Sequence, residues 1–265
     1  MNILLVGRGR VGSGLHRALR ANGTHEVSVA GRNPRPRRVS AADAVILAVP
    51  DDAIEATAAE LAPHLSANAA VLHCAGARSL DVLGPCKARG AAVGVMHPMV
   101  SFPSKSSSPS LRGATFTVNG DRKAVAVSRK IAAACGARVL VARTGDPAYH
   151  AAAALTANGA VALAYASVSV LQSLGIERRA AERAIGGLLE TVGQNVQRLG
   201  VPAALTGPVA RGEAKAITKH RSALRKTARG NLRSYDALVP LIVDCARAAG
   251  LSRAKANAIL RTLER

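Results

Sequence analysis

The sequence predicts an α/β fold: an N-terminal domain with a parallel sheet at residues 1–145, followed by an all-helical C-terminal domain at residues 146–265. Short apolar runs alternate with helical patterns through the first part, which is typical of a parallel sheet wound by right-handed crossovers. After about residue 145 no strand-like run appears. The chain of 265 residues is 49% hydrophobic and 20% charged, so it is globular and long enough for two modest domains.

The elements of the N-terminal domain follow one another in regular order. The continuous apolar run NILLVG (2–7) predicts a strand buried on both faces. A helix is predicted at 11–22, because Val11, Leu15 and Leu19 share one face, and Gly23 ends it. Further strands are predicted at 25–32, 43–52, 69–76, 91–99, 113–120 and 137–142, with helices at 53–65 and 121–135.

The C-terminal domain is predicted to be helical throughout. One long helix is expected at 147–174, followed by helices at 177–199, 213–229, 231–248 and 252–264. The stretch SFPSKSSSPS (101–110), in the N-terminal domain, has the composition of a loop.

The glycine cluster GRGRVGSG (7–14) has the spacing G-x-G-x-x-G between the first strand and the first helix. Gly7 permits the tight turn, Gly9 a close approach of the backbone to a pyrophosphate, and Gly12 close packing of helix on strand. The helix N-terminus faces the phosphate charge. This context predicts a dinucleotide site; the alternative is a plain tight turn. The predicted dinucleotide contacts here and at the end of strand three are Gly7, Gly9, Arg10, Val11, Gly12, Val49 and Pro50.

The end of the second strand indicates which dinucleotide binds. Sites for NAD place Asp or Glu there to accept hydrogen bonds from the ribose hydroxyls. This chain has Arg32 and Asn33 instead, and a guanidinium pairs well with a 2′-phosphate. We therefore expect NADP(H), with Arg32 and Asn33 as contacts; the alternative is a solvated basic loop.

The formal net charge of +20 raises the question of a nucleic-acid partner. Aromatic residues make up only 2% of the chain, so the stacking platforms of single-strand binders are nearly absent. The basic residues are also spread over several segments. Nucleic-acid binding is therefore not expected as the main function.

The sequence also bears on metal sites, disulfides, membrane spans and cellular location. The four cysteines form no C-x-x-C pair, so neither a zinc site nor a disulfide scaffold is expected, and no metal is predicted. The most apolar stretch, near Ala151–Leu171, is interrupted by Asn158 and Gly159, so no membrane span is expected. No basic leader precedes the first strand, and we expect a cytoplasmic protein.

Several motifs together resemble a known group of proteins. They are the VGxGxVGxxL start, AVPDDAI (48–54), HCAGA (73–77), GVMHPMVSFP (94–103), YHAAAALTANGAVAL (149–163), ALTGPVARGEAKAITKH (204–220) and SYDAL (234–238). The combination is similar to Rossmann-like proteins with a C-terminal DUF2520 domain, over nearly the whole chain. The wider relatives include pyrroline-5-carboxylate reductase, ketopantoate reductase, 3-hydroxyisobutyrate dehydrogenase and prephenate dehydrogenase.

The resemblance implies hydride transfer between NAD(P) and a small carboxylate-bearing substrate, in a homodimer. Several relatives use a Lys-x-x-x-Asn pair on the long helix, the lysine as proton donor. This chain offers Asn158, but Ala154 stands at the lysine position. His150, eight residues before Asn158 and about 12 Å from it along the helix, can deliver the proton instead. The alternative for His150 is a histidine at a helix start, capped by solvent or by Asp146.

Further candidates lie at strand ends and in a loop of the C-terminal domain. The resemblance places the loop of His97 beside the nicotinamide, where His97 can hydrogen-bond the carboxamide or substrate; a structural turn is the alternative. His73 is similarly placed after strand four. Thr206 and Arg211 can bind an anionic substrate, although Arg211 can also be an ordinary surface residue or pair with Glu213.

These observations predict an NADP-dependent reductase of a small oxo- or imino-acid, with ketopantoate reductase-like activity as one possibility. The alternative is a protein that binds NADP(H) as a sensor or scaffold without catalysis, which Ala154 favours.

Overall fold

The computed structural model describes residues 1–107 and 109–264. The chain divides into two compact units, Met1–Leu155 and Thr156–Arg265. The division lies within the predicted long helix, and the domain boundary at 145/146 stays a prediction.

The first unit contains a sheet of seven strands in the order β2-β1-β3-β4-β5-β6-β7. Its parallel neighbours begin with β1, whose Leu5 lies beside Val29 of β2 and Ile46 of β3. The mostly parallel sheet confirms the predicted α/β class. The strands are β1 Asn2–Val6, β2 Glu26–Ala30, β3 Ala44–Leu47, β4 Ala70–His73, β5 Ala92–Pro98, β6 Thr115–Gly120 and β7 Arg138–Val141.

One pair of strands departs from the parallel arrangement. β6 runs antiparallel to β5, with His97 opposite Thr117, and β7 runs parallel to β6. The connection from β5 to β6 has no helix in its described residues, 99–107 and 109–114. An antiparallel neighbour needs no crossover helix, whereas a parallel one does. The predicted strands at 91–99 and 113–120 are therefore present, but they run in opposite directions.

Helices cover the sheet on both faces, and two cores result. Leu15 of α1 and Ile131 of α5 pack with Phe116 on one face, while Ile54 of α3 packs with Leu47 on the other. All four residues of β3 are buried, which is why its sequence is a continuous apolar run. The helices of this unit are α1 Arg10–Asn22, α2 Pro36–Ser40, α3 Ile54–Leu61, α4 Gly84–Ala88 and α5 Arg122–Ala134, with 3₁₀ turns at Asp51–Ala53, Ala62–His64 and Leu80–Leu83.

The second unit is helical in its described residues. Its core contains Val209, Ile217, Val239, Val243 and Ile259. The long helix α6, Pro147–Ser173, begins in the first unit and continues into the second. The remaining helices are α7 Arg178–Leu199, α8 Pro208–Arg211, α9 Ala214–Thr227, α10 Arg229–Ala248 and α11 Arg253–Leu260.

Two neighbouring pairs tie α9 to α10. Arg221 is buried and holds both carboxylate oxygens of Asp236, at 2.8 and 3.1 Å. Its guanidinium also donates to the carbonyl of Thr262. The next pair is His220 and Tyr235, whose ring nitrogen and hydroxyl lie 2.9 Å apart. His220 ends the motif AITKH and Arg221 follows it, while Tyr235 and Asp236 belong to SYDAL, so both motifs have a structural role in joining the helices.

The helix α6 is the one helix of the described chain that is long and apolar enough to cross a membrane, judged by length and composition. Only 6% of the most apolar 18-residue segment of α6 is buried. Val161 is 68% exposed and Tyr165 is 74% exposed. Helix α7 also presents apolar side chains to solvent, among them Leu188 at 59%. Exposed apolar faces of this kind are typical of surfaces that contact another molecule.

Candidate functional site

The glycine loop between β1 and α1 is closely packed at two of its three glycines. Gly7 has a φ of +116°, and a Cβ there would lie 2.3 Å from the carbonyl oxygen of Ala48. A Cβ on Gly12 would lie 2.3 Å from the carbonyl oxygen of Gly7. Both positions therefore require glycine for the packing of β1, α1 and the end of β3.

Gly9 is different, because the protein's own packing does not require a glycine there. Its φ of −75° and ψ of −171° suit any residue. A Cβ on Gly9 would have only the carbonyl oxygen of Ala48 nearby, at an ordinary 3.8 Å. The space in front of Gly9 is thus open, as expected where a pyrophosphate approaches the backbone.

The N-terminus of α1 faces this open space with unpaired amides. No side chain caps the helix at Gly9, and the carbonyl of Gly9 accepts from the amide of Ser13. Among the described residues, the amides of Arg10, Val11 and Gly12 have no hydrogen-bond partner in the protein, as is usual in a first helical turn. Such amides and the helix dipole favour an anion.

The ends of β2 and β3 lie against the same loop. The amide of Gly7 donates to the carbonyl of Ala30, the last residue of β2, at 3.0 Å. Arg32 and Asn33 follow directly and are exposed. On the other side, the amide of Ala48 donates to Val6 at 2.8 Å, and Val49 and Pro50 come next. The loop thus has the residues predicted for the cofactor around it, and Arg32, which follows β2, is basic.

A histidine–tyrosine pair joins the end of β5, which carries His97, to the start of α6, which carries Tyr149. The Nδ1 atom of His97 lies 2.7 Å from the hydroxyl of Tyr149, and the two rings meet edge to face. A Cβ on Gly76 would lie 2.9 Å from the His97 ring, so the glycine after β4 makes room for the imidazole. Tyr149 was not among the residues predicted from the sequence.

Burial sets the protonation of this pair. It lowers the pKa of His97 below its ordinary value of 6.5; the charge of His150 adds to this, and Asp51 opposes it. Burial also raises the pKa of Tyr149, and the Thr117 hydroxyl opposes that. The Thr117 hydroxyl is close enough to Tyr149 to affect its pKa. It nevertheless forms no hydrogen bond of good geometry among the described residues. A neutral imidazole beside a protonated phenol is therefore the stable form at neutral pH.

His73, at the end of β4, belongs to the framework of the same region. It is fully buried, its Nε2 atom lies 3.1 Å from the carbonyl oxygen of Ser79, and its Nδ1 accepts from the amide of Ala75 at 3.3 Å. Burial lowers its pKa, and the bond to Ser79 opposes this. Both ring nitrogens are thus occupied by the backbone, and His73 holds the turn after β4.

His150 is exposed, one residue beyond Tyr149 in the first turns of α6. The carboxylate of Asp146 accepts from the amide of Ala148 at 2.8 Å, so it caps the helix backbone rather than the imidazole. His150, His97 and Tyr149 are therefore brought together in the first unit.

The other predicted residues belong to the second unit. Asn158 on α6 and Thr206 before α8 are both exposed. Arg211 holds Glu213 through two hydrogen bonds of 2.6 and 3.2 Å, so its guanidinium faces a carboxylate of the same chain. This pair was one of the alternatives for Arg211, and its role in substrate binding stays a prediction.

Metal ligands are not clustered in the described parts of the chain: residues 1–107 and 109–264 contain no group of three His, Cys, Asp or Glu suited to an ion. Burial raises the pKa of Cys74 to about 12 and those of Cys86 and Cys135 to about 11, so these thiols stay protonated.

Residues 114–242 match the family described as a domain of unknown function, DUF2520. The match begins at the start of β6 and ends within α10, so this domain includes the last two strands of the sheet. The resemblance found in the sequence is thereby confirmed. A comparison with curated protein sequences finds no match.

Solved structures of similar fold cover nearly the whole chain. A Thermotoga maritima protein is 25% identical with a TM-score of 0.68, covering 93% of this chain and 99% of its own. Pyrroline carboxylate reductase of Plasmodium falciparum, with NADP bound, is 12% identical with a TM-score of 0.66, covering 99% and 98%. Pyrroline-5-carboxylate reductase of Coxiella burnetii is 16% identical with a TM-score of 0.62, covering 95% and 99%. These likenesses show a Rossmann-like fold followed by a helical region.

Proposed function

We propose that this protein is an NADP-dependent oxidoreductase that reduces a small oxo- or imino-acid. The observation that carries the proposal is the open space at Gly9, in front of the unpaired first turn of α1. The packing of the protein itself gives no reason for a glycine at this position, whereas the approach of a pyrophosphate does. The Plasmodium structure of the same fold contains NADP.

The preference for NADP(H) rests on the residues that follow β2. Residues 31–38 contain four arginines and no acidic side chain. Arg32 and Asn33 are exposed beside the glycine loop, where Arg32 can pair with a 2′-phosphate. A carboxylate that would bind the 2′-hydroxyl of NAD is missing from this segment.

The reacting end of the site is assigned to His97, Tyr149 and His150. When bound, NADPH supplies the hydride that reduces the carbonyl or imine carbon. His97, held by the Tyr149 hydroxyl, is neutral at neutral pH and donates a hydrogen bond to the carboxamide or the substrate. His150 is exposed and delivers the proton to the substrate heteroatom, because solvent can restore that proton.

The proposed substrate class rests on three polar residues of the second unit. Arg211 and Thr206 are proposed to bind the substrate carboxylate, with Asn158 as an orienting amide, and Arg211 must then exchange Glu213 for the substrate. Ketopantoate is the first compound to test, and cyclic imino acids are the second, because two of the structural neighbours are pyrroline carboxylate reductases.

A homodimer is proposed to cover the apolar faces of α6 and α7. Val161, Tyr165, Leu188 and Val192 are between 48% and 74% exposed, and they lie on two adjacent helices of the chain. A second copy covering these faces makes a membrane unnecessary for α6, and we place the protein in the cytoplasm. Leu188→Asp is expected to give monomers in sedimentation equilibrium; an unchanged mass would contradict this.

The alternative function is a sensor or scaffold that binds NADP(H) without turnover. Ala154 favours it, because the proton-donating lysine of several relatives is missing there. Oxidation of NADPH is measured against a panel of small 2-oxo and cyclic imino acids, with His150→Ala as the variant. Turnover that falls in His150→Ala supports the reductase, whereas tight binding without turnover over the whole panel supports the sensor.

A further inference from the structure

Helix α9 and the first turns of α10 carry many cations and no acid. Residues 214–235 contain seven Lys or Arg and no Asp or Glu. Six of the seven are exposed, and the exception is Arg221. The sequence showed basic residues in several segments, and in the structure three of these six exposed side chains share one side of α9.

The spacing along α9 places three lysines on a common face. Lys215, Lys219 and Lys226 are separated by four and seven residues, so they lie on one side of the helix. Ile217 and Arg221 are buried and form the opposite side. We call Lys215, Lys219 and Lys226 the basic face; Arg229 and Arg233 follow it at the start of α10 and are also exposed.

The carboxylates that bracket this segment are already paired. Glu213 holds Arg211 at 2.6 Å, and Asp236 holds the buried Arg221 at 2.8 Å. Neither is therefore available to neutralise the basic face, which keeps its positive potential.

Hydroxyl and guanidinium groups adjoin the basic face. A cleft of about 390 Å³ between α9 and the end of α11 is lined by Thr218, Ser222 and Arg261 among others. Ser222 lies seven residues after Lys215 and so on the same side of α9. Lysine, arginine and hydroxyl side chains are the usual contacts of phosphate oxygens in nucleic-acid complexes.

We propose that the basic face binds the phosphate backbone of double-stranded nucleic acid without reading its sequence. This surface function is separate from the proposed reductase. Lysines four residues apart lie about 6 Å apart along the helix, which suits successive backbone phosphates. The exposed side of α9 carries no large apolar side chain that could enter a membrane, and the chain has only 2% aromatic residues with which to stack single-stranded bases.

The test measures the anisotropy of a labelled 20-base-pair duplex with the full chain over a range of salt concentrations. If Arg229 and Arg233 contact the duplex together with the three lysines of the basic face, these five cations predict a slope of log affinity against log salt of about −4.5. The variant K215Q/K219Q/K226Q is expected to reduce that slope by about 2.7 and to weaken binding about tenfold or more. The matched control R122Q/R129Q/K130Q removes the same charge from exposed positions of α5 and should leave both nearly unchanged.

Each other result overturns the proposal. Equal losses in the two triple variants would mean that net charge alone attracts the duplex. Tighter binding of a single strand of the same length, or binding to phosphatidylserine vesicles in place of the duplex, would assign the face to another partner. No binding of the duplex at 50 mM salt would exclude a nucleic-acid-binding role for the basic face. Unfolding temperature and NADPH affinity are measured on every variant, and they keep this test apart from that of the reductase.

Discussion

A methyl group added at Gly9 tests the cofactor site without disturbing the fold. Gly9→Ala is compatible with the backbone, since φ is −75°, and its Cβ would meet only one protein atom, at 3.8 Å. Replacing glycine by alanine in a compatible conformation stabilises a protein by about 0.4–1 kcal/mol. We therefore expect the unfolding temperature of Gly9→Ala to stay the same or rise.

The same methyl group occupies the space in which a pyrophosphate would approach the amides of α1. Displacing the phosphates weakens hydrogen bonds to a charged group, each contributing about 1.5–3 kcal/mol. The loss of one such bond lowers affinity by about 10- to 150-fold. NADPH affinity should fall by at least that much.

The assay is a titration of NADPH fluorescence with purified protein. Gly84→Ala is the matched control, because a Cβ there meets nothing within 4 Å and Gly84 lies in α4, outside the glycine loop. Gly84→Ala should bind NADPH as the unchanged protein does. If Gly9→Ala also bound NADPH with unchanged affinity, the assignment of the open space to a pyrophosphate would be refuted.

Four further predictions concern single groups. Arg32→Gln should reduce the ratio of NADPH to NADH affinity about tenfold or more, as titration of both will show, and an unchanged ratio would contradict the 2′-phosphate contact. Tyr149→Phe should lower turnover about tenfold and displace the pH profile, whereas an identical profile would exclude an effect on His97. His73 titrates below 6.5 in the folded chain, so the unfolded state binds more protons and the free energy of unfolding should fall as pH drops below 6.5; a flat urea midpoint from pH 7.5 to 5.5 would contradict this. Asp236→Ala should destabilise the chain by about 3–5 kcal/mol because it leaves the buried Arg221 charge without its carboxylate partner, and a change below 1 kcal/mol in urea unfolding would refute it.

The fold was predictable where the determinants are local. Buried parallel strands such as β3 are continuous apolar runs, and the long apolar pattern of α6 extends over many turns. The direction of β6 was not predictable from its own residues. Neither an alternating nor an apolar run specifies whether a strand lies parallel or antiparallel to its neighbour. The available signal was the loop-like composition of residues 101–110 between the two predicted strands. Helix α2 and helix α4 have only five residues each, too few for a periodic pattern.

The candidate site divides in the same way. The glycine loop was predictable because strand, glycines and helix are adjacent in the sequence. The pairing of His97 with Tyr149 joins residues 52 positions apart and depends on where β5 ends and α6 begins. Tyr149 could have been noticed as one of only three tyrosines, next to a candidate histidine. The Arg211–Glu213 pair was foreseen as an alternative, since two residues of opposite charge stand two positions apart.

Calorimetric titration of the full chain with NADPH and with NADH measures directly whether the glycine loop binds a dinucleotide. We expect saturable binding of one dinucleotide per chain, at least tenfold tighter for NADPH. No heat with either dinucleotide would contradict the cofactor site itself, and tighter binding of NADH would contradict the role of Arg32.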